Sequence, residues 1–232
     1  MNEKISLNFD FLDETSTKTK VEEKSGVSAT ASSQVPKTDK VNFFQYFKEC
    51  FTNFSKFAKE HLTISSPKYL ILAIWVFGMR NARIMSSDSS SWGDVWAIVI
   101  FGGILSGALG YYIRGWFYHV RIGWSKGSST IDTARNIYIF SSLPIAVVAI
   151  GSLIFNQMAY GSDYFINTYH TDASNVDKIF DLLSLVAITY SIYISYKAVR
   201  DVTKAEKGRA IWWFIVAPAI FYIYKLILAS TY

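Results

Sequence analysis

The chain has 232 residues, 51% of them hydrophobic and 17% aromatic, and a formal net charge of +5. Its single cysteine, Cys50, excludes an intrachain disulfide and a cysteine-based zinc site. The positive residues stand beside apolar stretches, not in a basic patch on a soluble domain, which argues against nucleic acid as a partner and for membrane loops.

Residues 1–41 mix Lys, Glu, Ser, Thr and Val with neither a helical nor a strand period, and offer too little apolar surface to offset chain entropy. A disordered cytoplasmic tail is expected, without the continuous apolar core of a cleavable signal peptide. Within it, Ile5, Leu7, Phe9 and Phe11 alternate with polar residues. That pattern suits a short recognition strand, although incidental hydrophobes in a solvated tail are the commoner case. Over residues 42–62, Phe44, Phe47, Phe51, Phe54 and Ala58 recur at spacings of three and four, flanked by Phe43 and Phe57, with Lys48, Glu49, Asn53, Lys56 and Glu60 opposite. This predicts an amphipathic interfacial helix whose aromatic face lies on lipid or on the rest of the protein.

Five apolar stretches follow, at about 67–85, 92–113, 136–158, 179–196 and 210–228. About 20 mostly apolar residues cross a hydrocarbon core of about 30 Å. The expected fold is therefore all-α: a polytopic membrane bundle of five transmembrane helices over residues 67–228. The first span should open with Ser66 as a cap and Pro67 in the first turn, and Arg80 and Arg83 should reach the headgroups from its far end. The second span carries Gly102, Gly103, Ser106, Gly107 and Gly110 on one face, the small-residue pattern that lets helix backbones approach closely. Pro144 in the third span and Pro218 in the fifth predict kinks, with Ser141 and Ser142 available to satisfy groups that Pro144 frees. Tyr190, Tyr193, Tyr196, Trp212 and Trp213 suit the interfacial belt.

Loop charge alternates along the chain. Arg114, Arg121, Lys126 and Arg135 join spans two and three, and Lys197, Arg200, Lys204, Lys207 and Arg209 join spans four and five. The loop between spans three and four holds Asp163, Asp172 and Asp177. The positive-inside rule then places the N-terminus in the cytoplasm and the C-terminus outside. No zinc-protease, P-loop or nucleophile-elbow motif occurs, so no catalytic residue, cofactor or metal is expected. His61, His119 and His170 stand on separate segments, and no set of charges converges at mid-membrane.

Two loops carry a family resemblance. Gly123-Trp124-Ser125-Lys126-Gly127, followed by Thr133-Ala134-Arg135 and by Ser141-Ser142-Leu143-Pro144, resembles the bacterial Yip1-domain pattern. Arg200-Asp201-Val202-Thr203-Lys204-Ala205-Glu206-Lys207-Gly208-Arg209 resembles that family's cytoplasmic turn before the last helix. The likeness covers about residues 42–228. The aspartate-leucine-tyrosine-glycine-proline element of eukaryotic members does not occur here, which favours the bacterial branch.

The resemblance implies a non-enzymatic membrane scaffold or accessory protein, of an export complex or envelope-stress system in the bacterial cytoplasmic membrane. In a eukaryote it would imply trafficking at ER or Golgi membranes with Rab-type GTPases. Membrane lipid and other integral membrane proteins are the implied partners, and a homo-oligomer is compatible with the pattern. Gly123, Lys126, Gly127, Arg135, Arg200, Lys204, Lys207 and Arg209 are the candidate cytoplasmic contacts with protein or lipid. A small stand-alone transporter or channel is the alternative, for which a broken helix around a polar mid-membrane site would be expected.

Overall fold

The computed structural model describes residues 42–86, 89–165 and 175–231. The expected tail, including the alternating stretch near its start, lies outside the described residues. Among the described residues seven helices follow in order, α1 (Phe43–Thr52), α2 (Phe54–His61), α3 (Leu70–Met85), α4 (Trp92–Trp124), α5 (Ile131–Tyr160), α6 (Asn175–Thr203) and α7 (residues 207–231, running through Lys207–Ile211, Trp212–Val216 and Ala217–Thr231), with a short 3-10 turn, Gly161–Phe165, after α5. No strand occurs among the described residues. Among the described residues, three stretches are long and apolar enough to cross a membrane: Trp92–Trp124, Ile131–Phe165 and Lys178–Thr203. α3 has 16 residues, a rise of about 24 Å.

The segment expected as one amphipathic helix is two. Asn53, at φ −138° and ψ 60°, leaves the helical region and separates α1 from α2. The break turns Tyr46, Cys50, Phe54, Phe57, Ala58 and Leu62 inward. The rings of Tyr46 and Phe57 meet Phe140 of α5 at 6.2 and 5.6 Å. Tyr190 of α6 donates to the Phe51 carbonyl, and Ser55 donates to Asp201. The buried face thus packs on the bundle, while Phe44 is 78% exposed.

α3 does not start where Ser66 and Pro67 suggested. Tyr69 precedes the helix at φ 60°, with no side-chain cap, so the chain turns sharply just before Leu70. By contrast, α4 and α5 have side-chain caps. Ser91 accepts from the Asp94 amide and Thr130 from the Thr133 amide, both at 3.2 Å, each satisfying a donor that the first turn leaves open.

The prolines sit differently from each other. α5 continues for 30 residues through Pro144. Proline removes the donor for the Phe140 carbonyl, but Ser141 and Ser142 both donate to the Tyr138 carbonyl instead, at 3.1 and 2.8 Å. The expected rescue of the freed group is therefore not the role of these serines. Pro218 lies just past a π-helical turn, Trp212–Val216, in α7. α4 contains two such turns, Ile98–Gly102 and Gly110–Arg114. In the first of them the Ile100 carbonyl accepts from the Trp75 indole at 3.0 Å. Trp96 donates to Gln157 at 2.7 Å and Trp92 to the Gly161 carbonyl at 2.5 Å, tying α4 to the end of α5.

Candidate functional site

Three features gather the residues singled out in the sequence: a glycine seam, a clasp between two loops, and a cavity lined by arginines.

The seam joins α3 to α4, which run antiparallel. Gly102 faces Ala82, Gly107 faces Ile74 and Gly110 faces Phe77. A Cβ on Gly107 would collide with the Ile74 carbonyl, and one on Gly110 with the Phe77 ring; one on Gly103 would stand 3.0 Å from Met79 Cγ. The partner glycine, Gly78, had no signal in the sequence, since it stands alone in its helix. A Cβ on Gly78 would overlap the Gly103 carbonyl oxygen and lie 2.7 Å from Gly107 Cα. Gly103, Gly107 and Gly110 are buried, and Gly102 and Ser106 half-buried beside them. The close neighbour of this face is within the same chain.

The clasp joins residues 123–130, at the turn from α4 into α5, to residues 200–209, which run from the last turn of α6 into the first of α7. Ser128 donates its amide to the Thr203 carbonyl, and Glu206 donates its amide to the Ser125 carbonyl, both at 2.9 Å. Lys126 and Lys204 adopt φ of 56° and 57°, which reverses the chain at each loop. Gly127 sits where the loops touch: a Cβ there would come within 2.6 Å of Thr203 Oγ1 and 3.1 Å of Ala205 Cβ. Across the top, Glu206 pairs with both Lys126 and Arg209 at 3.3 Å. Lys204 and Lys207 are exposed and carry no ion pair among the described residues. Two loops far apart in sequence thus share one end of the bundle and form one surface.

Three of the candidate contacts lie elsewhere or make no such contact. Arg135 stands over the Tyr112 and Tyr111 rings at 4.9 and 5.6 Å, pairs with Asp132 at 3.6 Å, and fills the space that Gly115 leaves. Arg200 bonds Asp201 at 3.4 Å. Gly123 meets nothing within 4 Å of a Cβ, so packing does not explain it.

The two arginines near the end of α3, expected as headgroup anchors, both have neighbours within the bundle. Arg83 donates to the Ala149 carbonyl at 2.9 Å and to Ser152 at 2.6 Å, both on α5. Arg80 lines a cavity of about 570 Å³ together with Arg114 and Arg121 of α4. The sequence predicts no set of charges converging at mid-membrane, and Arg80, Arg114 and Arg121 stand far apart in the chain. Folding brings them together. Elsewhere, His61 approaches Glu49 at 3.9 Å, and Glu60 pairs with Lys56 at 3.8 Å. The ligand atoms of Glu49, Glu60 and His61 all lie within 4.8 Å of one another, a grouping that the scattered histidines had not suggested.

The family model described as Yip1 domain matches residues 51–228. No curated protein and no solved structure matches the chain.

Proposed function

The chain belongs to the Yip1 domain family of membrane proteins, and on that premise we propose that it is a non-enzymatic scaffold or accessory protein that acts through a protein partner docked on the loop clasp. In this reading α3 and α7 join the three long apolar helices as spans, giving five. The clasp then faces the cytoplasm, residues 1–41 form a cytoplasmic tail, and α1 with its exposed Phe43 and Phe44 touches the membrane interface. A bacterial cytoplasmic membrane is the favoured location.

The carrying observation is the clasp itself. Charge bias alone needs only loose basic loops. Here two backbone hydrogen bonds, a glycine packed against Thr203 and two left-handed lysines fix the surface in one shape. A preformed surface loses less entropy on binding. Anionic headgroups compete for the same basic residues, at about 1 kcal/mol for each one near the surface.

The test reverses Lys204 and Lys207 to glutamate and repeats affinity purification in neutral detergent without lipid. Loss of a specific membrane-protein partner, with the variant still folded and inserted, supports docking. Equal recovery of that partner sinks it. The converging arginines favour a second reading, a small transporter. Solute movement across liposomes by the purified protein alone would put that reading in place of the scaffold.

A further inference from the structure

The cavity among α3, α4, α5 and α7 has a lopsided chemistry. Arg80, Arg114 and Arg121 line it, and no carboxylate does. None of the three forms an ion pair with an acid among the described residues. Arg121 is occupied by neutral groups: it donates to the Trp213 carbonyl and stands over the Phe214 ring at 4.6 Å. Arg114 donates to Asn81 Oδ1 at 3.3 Å. Arg80 makes no hydrogen bond within the described residues, and Arg114 also bonds the Tyr138 hydroxyl.

The remaining polar lining can donate as well. Tyr138 and Tyr222 contribute hydroxyls, whereas the Ser142 hydroxyl already donates to the Tyr138 carbonyl. Asn81 uses its oxygen on Arg114, and its Nδ2 is buried without a hydrogen-bond partner. Like charges gathered among apolar helices repel one another, and an unpaired buried donor costs free energy. A bound anion offsets both.

We propose that this cavity binds a phosphate monoester, carried by a membrane lipid. Three guanidiniums match a group of charge about −1.5 to −2 better than they match a single carboxylate, and the planar fork of arginine bonds phosphate oxygens in pairs. The lining also includes an apolar wall of Ile145, Ala217, Pro218 and Phe221. Phe221 is also 54% exposed, so that wall continues onto the outward surface of α7, where an acyl chain can lie. The volume falls within the usual range of ligand sites, about 300–1,000 Å³. Inorganic phosphate shares the recognised chemistry and is the competing source. The inference does not depend on the clasp or on its partner.

The test uses the full chain, purified in a neutral detergent, titrated separately with dioctanoyl phosphatidic acid, inorganic phosphate and dioctanoylglycerol. Heat of binding is recorded beside the fluorescence of the tryptophans, of which Trp213 lines the cavity. Saturable binding of the phosphatidic acid and none of the diacylglycerol is expected. Arg80→Gln should weaken it about tenfold or more, the scale of one charge-assisted hydrogen bond, and Arg80→Lys should recover part of the loss. Inorganic phosphate binding as tightly as the lipid would keep the anion site and assign it to the free ion. No binding of either phosphate probe, equal binding of the diacylglycerol, or unchanged affinity in folded Arg80→Gln would overturn the proposal. Should Arg80→Gln not fold, the three-probe comparison on the unsubstituted protein decides alone.

Discussion

Gly78 and Gly103 touch backbone to backbone: a Cβ on Gly78 would occupy the space of the Gly103 carbonyl oxygen. In the proposed membrane setting no hydrophobic force pulls two helices together, so this contact contributes through packing and dispersion, beside the Trp75–Ile100 and Arg114–Asn81 hydrogen bonds that also join α3 to α4.

Gly78→Leu should therefore separate the two helices. Overpacking typically costs about 1–3 kcal/mol, and here the obstacle is backbone that cannot rotate away, so the upper end or more is expected. Gly78→Ala should already lower the unfolding temperature in detergent. Gly151 is the control, since a Cβ there meets nothing within 4 Å. Gly151→Ala should leave stability unchanged or raise it by up to about 1 kcal/mol, the helix-propensity gain. Similar behaviour of the two alanine variants would remove the seam from the account.

How much of this was legible in the sequence depends on whether a signal repeats. Gly102, Gly103, Ser106, Gly107 and Gly110 announce a packing face because they recur at helical spacing. Gly78 is one glycine among apolar residues, and only the antiparallel register of α3 and α4 gives it a partner. The two basic loops were readable as loops, by charge and glycine content. Their docking rests on backbone hydrogen bonds such as Ser128 to Thr203, which no side-chain pattern encodes. Arg80 reads singly as an anchor at a span end, and Arg114 and Arg121 read as positive charges of a loop, and those separate explanations hide their convergence. Asn53 gave no sign that it would divide one amphipathic helix into two.

Cys50 should be chemically silent in the folded protein. It is 1% exposed, and burial pushes its thiol well above the ordinary cysteine range. The thiolate is the reacting form, so a maleimide at pH 8 should label Cys50 only as the protein unfolds. A thiol pKa raised on folding means that the folded state holds the proton more tightly. Its contribution to stability is present below the ordinary thiol range and is lost progressively as the pH climbs above it. Tyr46, its neighbour on α1, is raised by burial in the same direction. Midpoints of thermal unfolding should fall between pH 8 and pH 10, and less so in Cys50→Ser than in the parent chain. Fast labelling at pH 8 with the fold intact would mean that α1 does not stay seated on α5 and α6.

Topology offers the strictest check, because structure and charge constrain it separately. The Ser128–Thr203 and Glu206–Ser125 bonds place the two basic loops at one end of the bundle, whatever compartment that end faces. α5, with 30 residues, rises about 45 Å, more than the hydrocarbon core of about 30 Å, and so carries the chain to the opposite end. The orientation proposed from loop charge puts the clasp end in the cytoplasm. Reporter fusions ending at Ser129 and at Thr203 should both read cytoplasmic, and one ending at Asp172 should read external. If all three signals inverted together, the bundle would stand and only the charge-based orientation would fail. Disagreement between the Ser129 and Thr203 fusions would be more serious: two segments joined by backbone hydrogen bonds cannot lie on opposite sides of a membrane, so the clasp itself would have to be abandoned.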